Sequence, residues 1–328
     1  MNKQLILHIG MGKTGTSSIQ EAFSANSDDL RTQGVCYLGM WFDAINPDYA
    51  GIDKQINFFS LPPEDMVKAA RKLCAFVQAS NCRKFIVSNE SLWGRPVELE
   101  PFIRELLKDI DVKIIAYVRD PKEWLPSAYT QWGIYDRLTK NSTRDYQNAV
   151  ASFINWYNPV YEWHKRMGDI ISIRKYTPRV DAVADFSKAL GVDLKCEIQK
   201  VNERRKAADL LLRAIFNDRF QGRTPPRLFE EYMLDKNTKV HGLRRSLKRY
   251  FDYSSTQEAI SQNGKVFDFI KSKYGISFDE GEKKSEPLNE NEVRNDVIDI
   301  MMEIMVSQSI RIRNLEAAVE EIRSSASI

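Results

Sequence analysis

The stretch LILHIGMGKTGTSSIQEAF, residues 5–23, decides the fold. It begins with three apolar residues typical of a buried strand, continues through glycines at positions 10, 12 and 15, and ends in helix-forming residues. Glycines allow a loop to turn several backbone N–H groups towards one anion, and the start of a helix adds a partial positive charge. The stretch therefore predicts a strand, a phosphate-binding loop and a helix.

The order of residues in this loop differs from the nucleotide-triphosphatase motif G-x-x-x-x-G-K-[ST]. In that motif Gly12, Lys13 and Thr14 would require a glycine at position 7, which is occupied by Leu7. In addition, the Gly-Thr-Ser triplet that begins the helix follows the lysine instead of preceding it. These differences indicate a phosphate ligand other than ATP.

Composition and charge argue against several classes of protein. The chain has 328 residues, of which 43% are hydrophobic, so it can bury a large core. A net charge of +3 suits an anionic ligand but is too small to indicate nucleic-acid binding. Four cysteines without a C-x-x-C pair and three histidines argue against a metal site. Because no apolar run of about 20 residues is present, we expect no signal peptide, no membrane span and a cytoplasmic protein.

Strand and helix patterns alternate over the first 200 residues, which is typical of an α/β fold with a parallel central sheet flanked by helices. Beyond residue 200 only helical patterns follow, and the polar run 279–292 is the predicted linker. We expect one strand at 3–8, one at 84–88, one that ends at Arg119 and one that starts at residue 169. We expect one helix that begins at residue 63, and others at 16–26, 98–108, 122–135, 204–218, 242–250, 256–273 and 290–324. The expected domain is 1–278, with a sheet core at about 1–200 and a helical part at about 201–278, before a linker and long helix at 279–328.

A second loop follows the long apolar strand that ends at Arg119. In parallel sheets of this kind, ligands bind beyond the carboxyl ends of the strands. Arg119 can hold a phosphate through a planar, bidentate contact, and Ser127, eight residues later, can add a hydroxyl group. A ligand that contacts both loops would carry two separated phosphates.

The two loops together resemble the sulfotransferase family. HIGMGKTGTSSIQ looks like its 5′-phosphosulfate loop, and YVRDPKEWLPSAY looks like its 3′-phosphate loop. Weaker similarity covers 84–94 and 160–191, where the chain is similar to bacterial carbohydrate-type members. The resemblance implies a P-loop-like sulfotransferase fold and the donor 3′-phosphoadenosine 5′-phosphosulfate.

The resemblance also implies roles for individual residues. Lys13 would lie beside the oxygen that bridges the sulfuryl group and the 5′-phosphate, where a cation favours the transition state. The remaining donor-binding residues would be Gly12, Thr14, Gly15, Thr16 and Ser17 at the 5′-phosphate, and Arg119 and Ser127 at the 3′-phosphate. Ordinary structural roles remain open: a solvent-exposed loop lysine, helix capping by Thr16 and Ser17, an ion pair of Arg119 with Asp120 or Glu123, and a neutral helix position for Ser127.

Glu90 is the candidate base that removes the proton of the acceptor hydroxyl. Family members use a histidine or a glutamate, and Glu90 follows a central strand whereas His8, His164 and His241 do not. Its alternatives are an N-cap or a structural ion pair, and Ser88 and Asn89 could orient it. Trp93 would be either a platform for a sugar ring or a buried side chain.

The expected function is therefore a metal-free sulfotransferase that acts on a hydroxyl of a carbohydrate or glycoconjugate by in-line displacement. We expect a small-molecule or glycan acceptor, no nucleic-acid partner, and a homodimer through the final helix. Two basic clusters, Arg204–Lys206 and Arg244–Arg249, would be solvated helix faces or could close over the 3′-phosphate. The alternatives are a P-loop-type nucleotide kinase or hydrolase, and a non-catalytic protein that binds the donor or its product adenosine 3′,5′-bisphosphate.

Overall fold

The computed structural model describes residues 3–136, 144–177, 181–195, 207–218, 225–227, 229, 243–278 and 288–325. Its contacts divide the chain into two compact units. The first unit comprises Met1–Ala128, Val150–Glu203 and Thr256–Gly281, and the second comprises Tyr129–Ala149, Arg204–Ser255 and Glu282–Ile328. The expected domain boundary at residue 279 lies outside the described residues and stays a prediction.

The first unit contains a five-stranded sheet in the order β2-β3-β1-β4-β5, and all neighbouring strands are parallel. The strands are β1 Gln4–His8, β2 Val35–Tyr37, β3 Lys84–Ser88, β4 Asp111–Arg119 and β5 Ile171–Tyr176. β1 is the central strand of this order, and its apolar residues are therefore buried. The predicted α/β fold with a parallel sheet is confirmed.

Helices of the first unit flank this sheet, and the numbering below also includes the helices of the second unit. In chain order they are α1 Thr16–Ala25, α2 Ser27–Thr32, α3 Gln55–Phe59, α4 Pro63–Ala79, α5 Pro96–Leu106, α6 Pro121–Ala128, α7 Tyr146–Phe153, α8 Pro159–Met167, α9 Ala182–Leu190, α10 Ala207–Asn217, α11 Leu243–Phe251, α12 Thr256–Gln262, α13 Gly264–Tyr274 and α14 Glu290–Ser325. α1 packs against α9, and their side chains Ile19, Phe23 and Phe186 form one buried core with Ile6 of β1. This packing fixes α1, and the loop before it, against the sheet.

Two predicted helices differ from the structure, and one short strand was not predicted. The helix predicted at 256–273 is two helices, α12 and α13, because the Asn263-Gly264 pair breaks the helical pattern. The helix predicted at 122–135 ends as an α-helix at Ala128 and continues as π-helix over Tyr129–Tyr135. The short edge strand β2 was not predicted, because three residues are too few to show a period.

The second unit is helical. α10 packs against α11 and α14, and its buried side chains include Ala208, Leu211 and Ala214. Val293 of α14 is also buried. None of the described helices combines the length and the apolar composition that crossing a membrane requires.

Candidate anion-binding site at the carboxyl edge of the sheet

The loop after β1 is held by the neighbouring strand β4. The backbone N–H of Ile9 donates to the carbonyl of Ile115 over 3.0 Å, and that of Met11 donates to the carbonyl of Tyr117 over 3.2 Å. Because β1 and β4 are adjacent and parallel, their carboxyl ends lie at one edge of the sheet. The loop therefore leaves β1 alongside the last residues of β4.

The structure brings the two predicted loops into direct contact. The guanidinium of Arg119, at the end of β4, donates to the carbonyl of Lys13 over 3.3 Å. The indole N–H of Trp124, on α6, donates to the carbonyl of Gly12 over 2.8 Å. The 3′-phosphate candidate and the 5′-phosphate candidate thus share one edge of the sheet.

Lys13 adopts an unusual backbone conformation. Its φ is 66°, and among the described residues it is the non-glycine residue with a positive φ. A side chain in this region costs about 1–2 kcal/mol, so the surrounding contacts have to hold it there. The hydrogen bonds from Arg119 and Trp124 hold the carbonyls of Lys13 and of the residue before it. Strain of this kind is concentrated at functional loops.

Gly15 requires glycine for two reasons. Its φ is 83°, and a Cβ at this position would lie 2.7 Å from Cβ of Ala182 and 3.1 Å from the ring of Tyr176. The start of α1 can therefore approach α9 and the end of β5 only without a side chain. This close approach sets where the first N–H groups of α1 point.

The N-terminus of α1 carries polar groups for which the described residues supply no side-chain partner. Gly15 is the N-cap, no side-chain hydrogen bond caps the helix, and its first turn holds no acidic residue. The hydroxyl of Thr16 is buried and makes no hydrogen bond with the described residues. Capping by the Thr16 or Ser17 hydroxyl is thus not what the structure shows. An anion would satisfy the hydroxyl and the first N–H groups together.

Arg119 is mostly buried, with 17% of its side chain exposed. Its Nε donates to a carboxylate oxygen of Glu123 over 3.3 Å, and its guanidinium lies 5.4 Å from the centre of the Tyr176 ring. Tyr157 donates its hydroxyl to the Arg119 carbonyl over 2.6 Å. The ion pair with Glu123, one of the structural alternatives left open for Arg119, is present, and the contact of Arg119 with the β1 loop exists beside it.

Asp120 lies immediately before α6, and Ser127 lies within it. The Asp120 carboxylate accepts from the backbone N–H of Lys122 over 2.8 Å, so it caps the helix. Burial raises the pKa of Asp120 above its usual value. Ser127 is half-buried and is the seventh residue of α6, within the first two turns of that helix. Its contact with a 3′-phosphate stays a prediction.

Glu90 lies two residues beyond the end of β3, which is the strand next to β1. It begins a short 3₁₀ turn whose N-cap is Asn89, which accepts from the backbone N–H of Ser91 over 2.8 Å. Glu90 is therefore not the N-cap. Within the described part of the chain its carboxylate forms no ion pair, and it accepts a hydrogen bond from Gln20 over 3.0 Å.

Gln20 was not predicted from the sequence. It lies on α1, one helical turn after Thr16, and its side-chain amide donates both to Glu90 and to the carbonyl of Ser88, each over 3.0 Å. Gln20 therefore connects the helix that follows the β1 loop to the candidate base. Its spacing from Thr16 places both residues on one face of α1, which is the signal that could have identified it.

The histidines do not compete with Glu90 in the described structure. His8 is fully buried in β1, its Nδ1 is hydrogen-bonded to the Ser88 hydroxyl over 2.7 Å, and burial lowers its pKa to about 3. His164 lies on α8, where its Nδ1 is 3.0 Å from the hydroxyl of Tyr274. His241 lies outside the described residues.

The platform interpretation of Trp93 is wrong. Trp93 is 3% exposed, it donates its indole N–H to the carbonyl of Trp156, and it accepts from the indole of Trp163, each over 2.7 Å. The basic cluster 204–206 and the side chains of Arg244 and Arg245 lie outside the described residues.

The comparisons with known proteins add no relatives. No family model matches this chain, and no curated protein matches it. Among the described residues, no three His, Cys, Asp or Glu side chains cluster as metal ligands would, and the expectation of a metal-free reaction stays a prediction. The interpretation of this site therefore rests on its own geometry.

Proposed function

We propose that this chain is a sulfotransferase that uses 3′-phosphoadenosine 5′-phosphosulfate and acts on a hydroxyl of a carbohydrate or glycoconjugate. The observation that carries the proposal is the contact between Arg119 and the carbonyl of Lys13, since it joins two candidate anion-binding loops that follow adjacent strands. A nucleoside that carries phosphates on two sites of one ribose matches such a pair of loops. We include the P-loop-like sulfotransferase fold in the proposal.

The β1 loop fits a 5′-phosphate. The N-terminus of α1 presents backbone N–H groups without a side-chain cap, and the buried hydroxyl of Thr16 is available as a further donor. Thr14 is fully buried, and its hydroxyl is used within the loop by the carbonyl of Met11, so its side chain shapes the loop. The backbone of Gly12 to Ser17 would then bind the phosphate.

Arg119 fits the second phosphate. Its guanidinium has five N–H donors, and the contacts with Lys13 and Glu123 use two of them. Because it is mostly buried and held by its neighbours, it would lose little side-chain freedom on binding a phosphate. Ser127 would add its hydroxyl at the same phosphate.

Glu90 and Lys13 would perform the proton and charge chemistry. The donor supplies a sulfuryl group attached to its 5′-phosphate. Glu90 takes the proton of the acceptor hydroxyl, and Gln20 orients the carboxylate that does so. Lys13 places a positive charge where the departing oxygen becomes negative, as preorganised electrostatic stabilisation requires.

A transfer assay tests this function. The purified chain is incubated with sulfur-labelled donor and a panel of sugars and glycoconjugates, and labelled product is measured. We expect transfer to at least one hydroxyl-bearing acceptor and a loss of about 100-fold or more in the Glu90→Gln variant, because a general base contributes 10²–10⁴-fold. Glu98→Gln, at an exposed position on α5, is the matched control and should keep full activity.

Two results would contradict the proposal. One is transfer that is unchanged in both Glu90→Gln and Lys13→Ala, which would remove the catalytic assignment even if the donor binds. The other is phosphoryl transfer from ATP at the same site, which would favour the kinase or hydrolase alternative.

A further inference from the structure

α14 exposes a long row of apolar side chains. The row lies on the part of the helix beyond residue 297, and each member has between 47% and 68% of its surface exposed. Its members are Ile298, Met301, Met305, Ile312, Leu315, Val319 and Ile322. A continuous apolar row of this length is unusual on a surface that faces only water.

The row has the spacing of a coiled-coil seam. Successive members are three and four residues apart in alternation, and the single missing place is filled by Gln308. The pattern extends over 25 residues, which at 1.5 Å per residue is about 37 Å of helix. Apolar residues that repeat every 3.5 residues on average are the sequence property that makes two helices supercoil.

A different row of α14 packs within the chain. α14 contacts α10 inside the second unit, and Val293 is buried while Val297, Ile300 and Ile304 are half-buried. These residues are also spaced by three and four, but they occupy a neighbouring stripe of the helix. The packing of the second unit therefore uses one apolar stripe of α14, and the exposed row is a second one.

We propose that α14 pairs along this exposed row with α14 of a second copy of the chain, as a parallel, in-register, two-stranded coiled coil. The first position of the heptad holds Ile298, Met305, Ile312 and Val319, of which three are β-branched. At the other seam position Met301, Gln308 and Leu315 are not β-branched, and Ile322 is. β-branched residues at the first position, with residues such as Leu at the other, favour two parallel strands.

Gln308 selects a partner of identical sequence. It occupies the seam position that would otherwise be apolar, and it is half-buried. In an in-register pair, Gln308 of one copy faces Gln308 of the other, and each amide can both donate and accept. A shifted register would place the amide against apolar side chains, which leaves a polar group unsatisfied.

The charges that flank the seam fit the same arrangement. Arg311 and Glu316 are exposed and lie five residues apart, at the two positions that border the seam. In a parallel, in-register pair these positions of opposite helices are neighbours, so Arg311 of each copy lies beside Glu316 of the other. The twofold symmetry of the pair repeats this contact twice.

The oligomeric state of the full chain tests the proposal. Light scattering after size-exclusion chromatography should give the mass of two chains, and Ile312→Lys with Leu315→Lys should give the mass of one. The matched control is Ile52→Lys with Ile56→Lys, which removes two equally exposed apolar side chains from the first unit and should leave the dimer intact. A monomeric wild-type chain at micromolar concentration, or a dimer that survives both seam substitutions, would overturn the proposal.

Charge reversal and cross-linking test the orientation. Arg311→Glu should weaken dimerisation about tenfold, because two attractive contacts become repulsive, and adding Glu316→Arg should restore it. Leu315→Cys should form a disulfide with its own copy under mild oxidation, and the wild-type chain should not. The absence of charge rescue together with the absence of that cross-link would refute a parallel, in-register pair. Binding of a monomeric chain to vesicles of phosphatidylcholine with phosphatidylglycerol would refute the second copy as the occupant of the row.

Discussion

The close approach of Gly15 to α9 gives a stability prediction that does not depend on the proposed function. In Gly15→Ala the new Cβ lies 2.7 Å from Cβ of Ala182 and 3.1 Å from the ring of Tyr176, at a φ of 83°. The positive φ costs alanine about 1 kcal/mol relative to glycine. Forcing a methyl group into packed surroundings costs a further 1–3 kcal/mol or so. We therefore expect a loss of about 2–4 kcal/mol in the free energy of unfolding.

Gly39→Ala separates these two costs. Gly39 has nearly the same φ, 82°, but no heavy atom of the described residues lies within 4 Å of the Cβ that alanine would add. It should therefore lose only about 1 kcal/mol, the cost of the backbone conformation. Urea denaturation of both variants, with the slope against denaturant held in common, measures the difference. Equal destabilisation would refute the claim that the start of α1 depends on close packing at Gly15.

Two further predictions concern one partly buried and one fully buried polar side chain. Gln20→Met removes the side-chain amide that donates a hydrogen bond to Glu90. Since a hydrogen bond to a charged group contributes about 1.5–3 kcal/mol, kcat should fall about tenfold or more, with KM for the donor unchanged. The control Gln78→Met, at an exposed position, should keep full activity. A KM effect without a kcat effect would contradict the positioning role. Burial lowers the pKa of His8 to about 3 in the folded chain, against 6.5 for an unperturbed histidine. As the pH falls, the imidazole is therefore protonated in the unfolded chain before it is protonated in the folded chain, so the free energy of unfolding decreases below about pH 6.5. Between pH 7 and 5 the loss from this group should be about 2 kcal/mol, and the His8→Gln variant should lack it in denaturation measured at each pH; the same slope in both proteins would refute the assignment.

Local sequence patterns predicted the part of the fold that carries the site. The β1 strand, the glycine-containing loop and the α1 helix follow one another directly in the sequence. Their structure is therefore determined largely by local residue patterns. The contact between Arg119 and the Lys13 loop was also predictable, since parallel strands bring their carboxyl ends to one edge. The residues at 263 and 264 were a visible turn signal that would have corrected the long helix predicted there.

Contacts between distant residues limited the rest of the prediction. The bond between Trp124 and Gly12 joins positions 112 residues apart, and no local period reveals it. The sequence did not decide whether Trp93 is an exposed platform or a buried side chain, because its environment depends on Trp156 and Trp163 from another part of the chain. Gln20 shares one face of α1 with Thr16, which is a local signal, but its partner Glu90 is 70 residues away and no local pattern connects the two.

The central claim is that two loops of one sheet edge bind the two phosphates of one nucleoside. Calorimetric titration tests it directly. The wild-type chain and the Arg119→Ala variant are each titrated with adenosine 3′,5′-bisphosphate and with adenosine 5′-monophosphate. Arg71→Ala, at an exposed arginine on α4, is the control. The account predicts that Arg119→Ala weakens bisphosphate binding by about 30-fold to 100-fold, the value of a charge-assisted phosphate contact. It should weaken monophosphate binding much less, because the 5′-phosphate loop loses only the hydrogen bond to the Lys13 carbonyl. Equal loss for both ligands, or a wild-type chain that binds the bisphosphate no more tightly than the monophosphate, would contradict it.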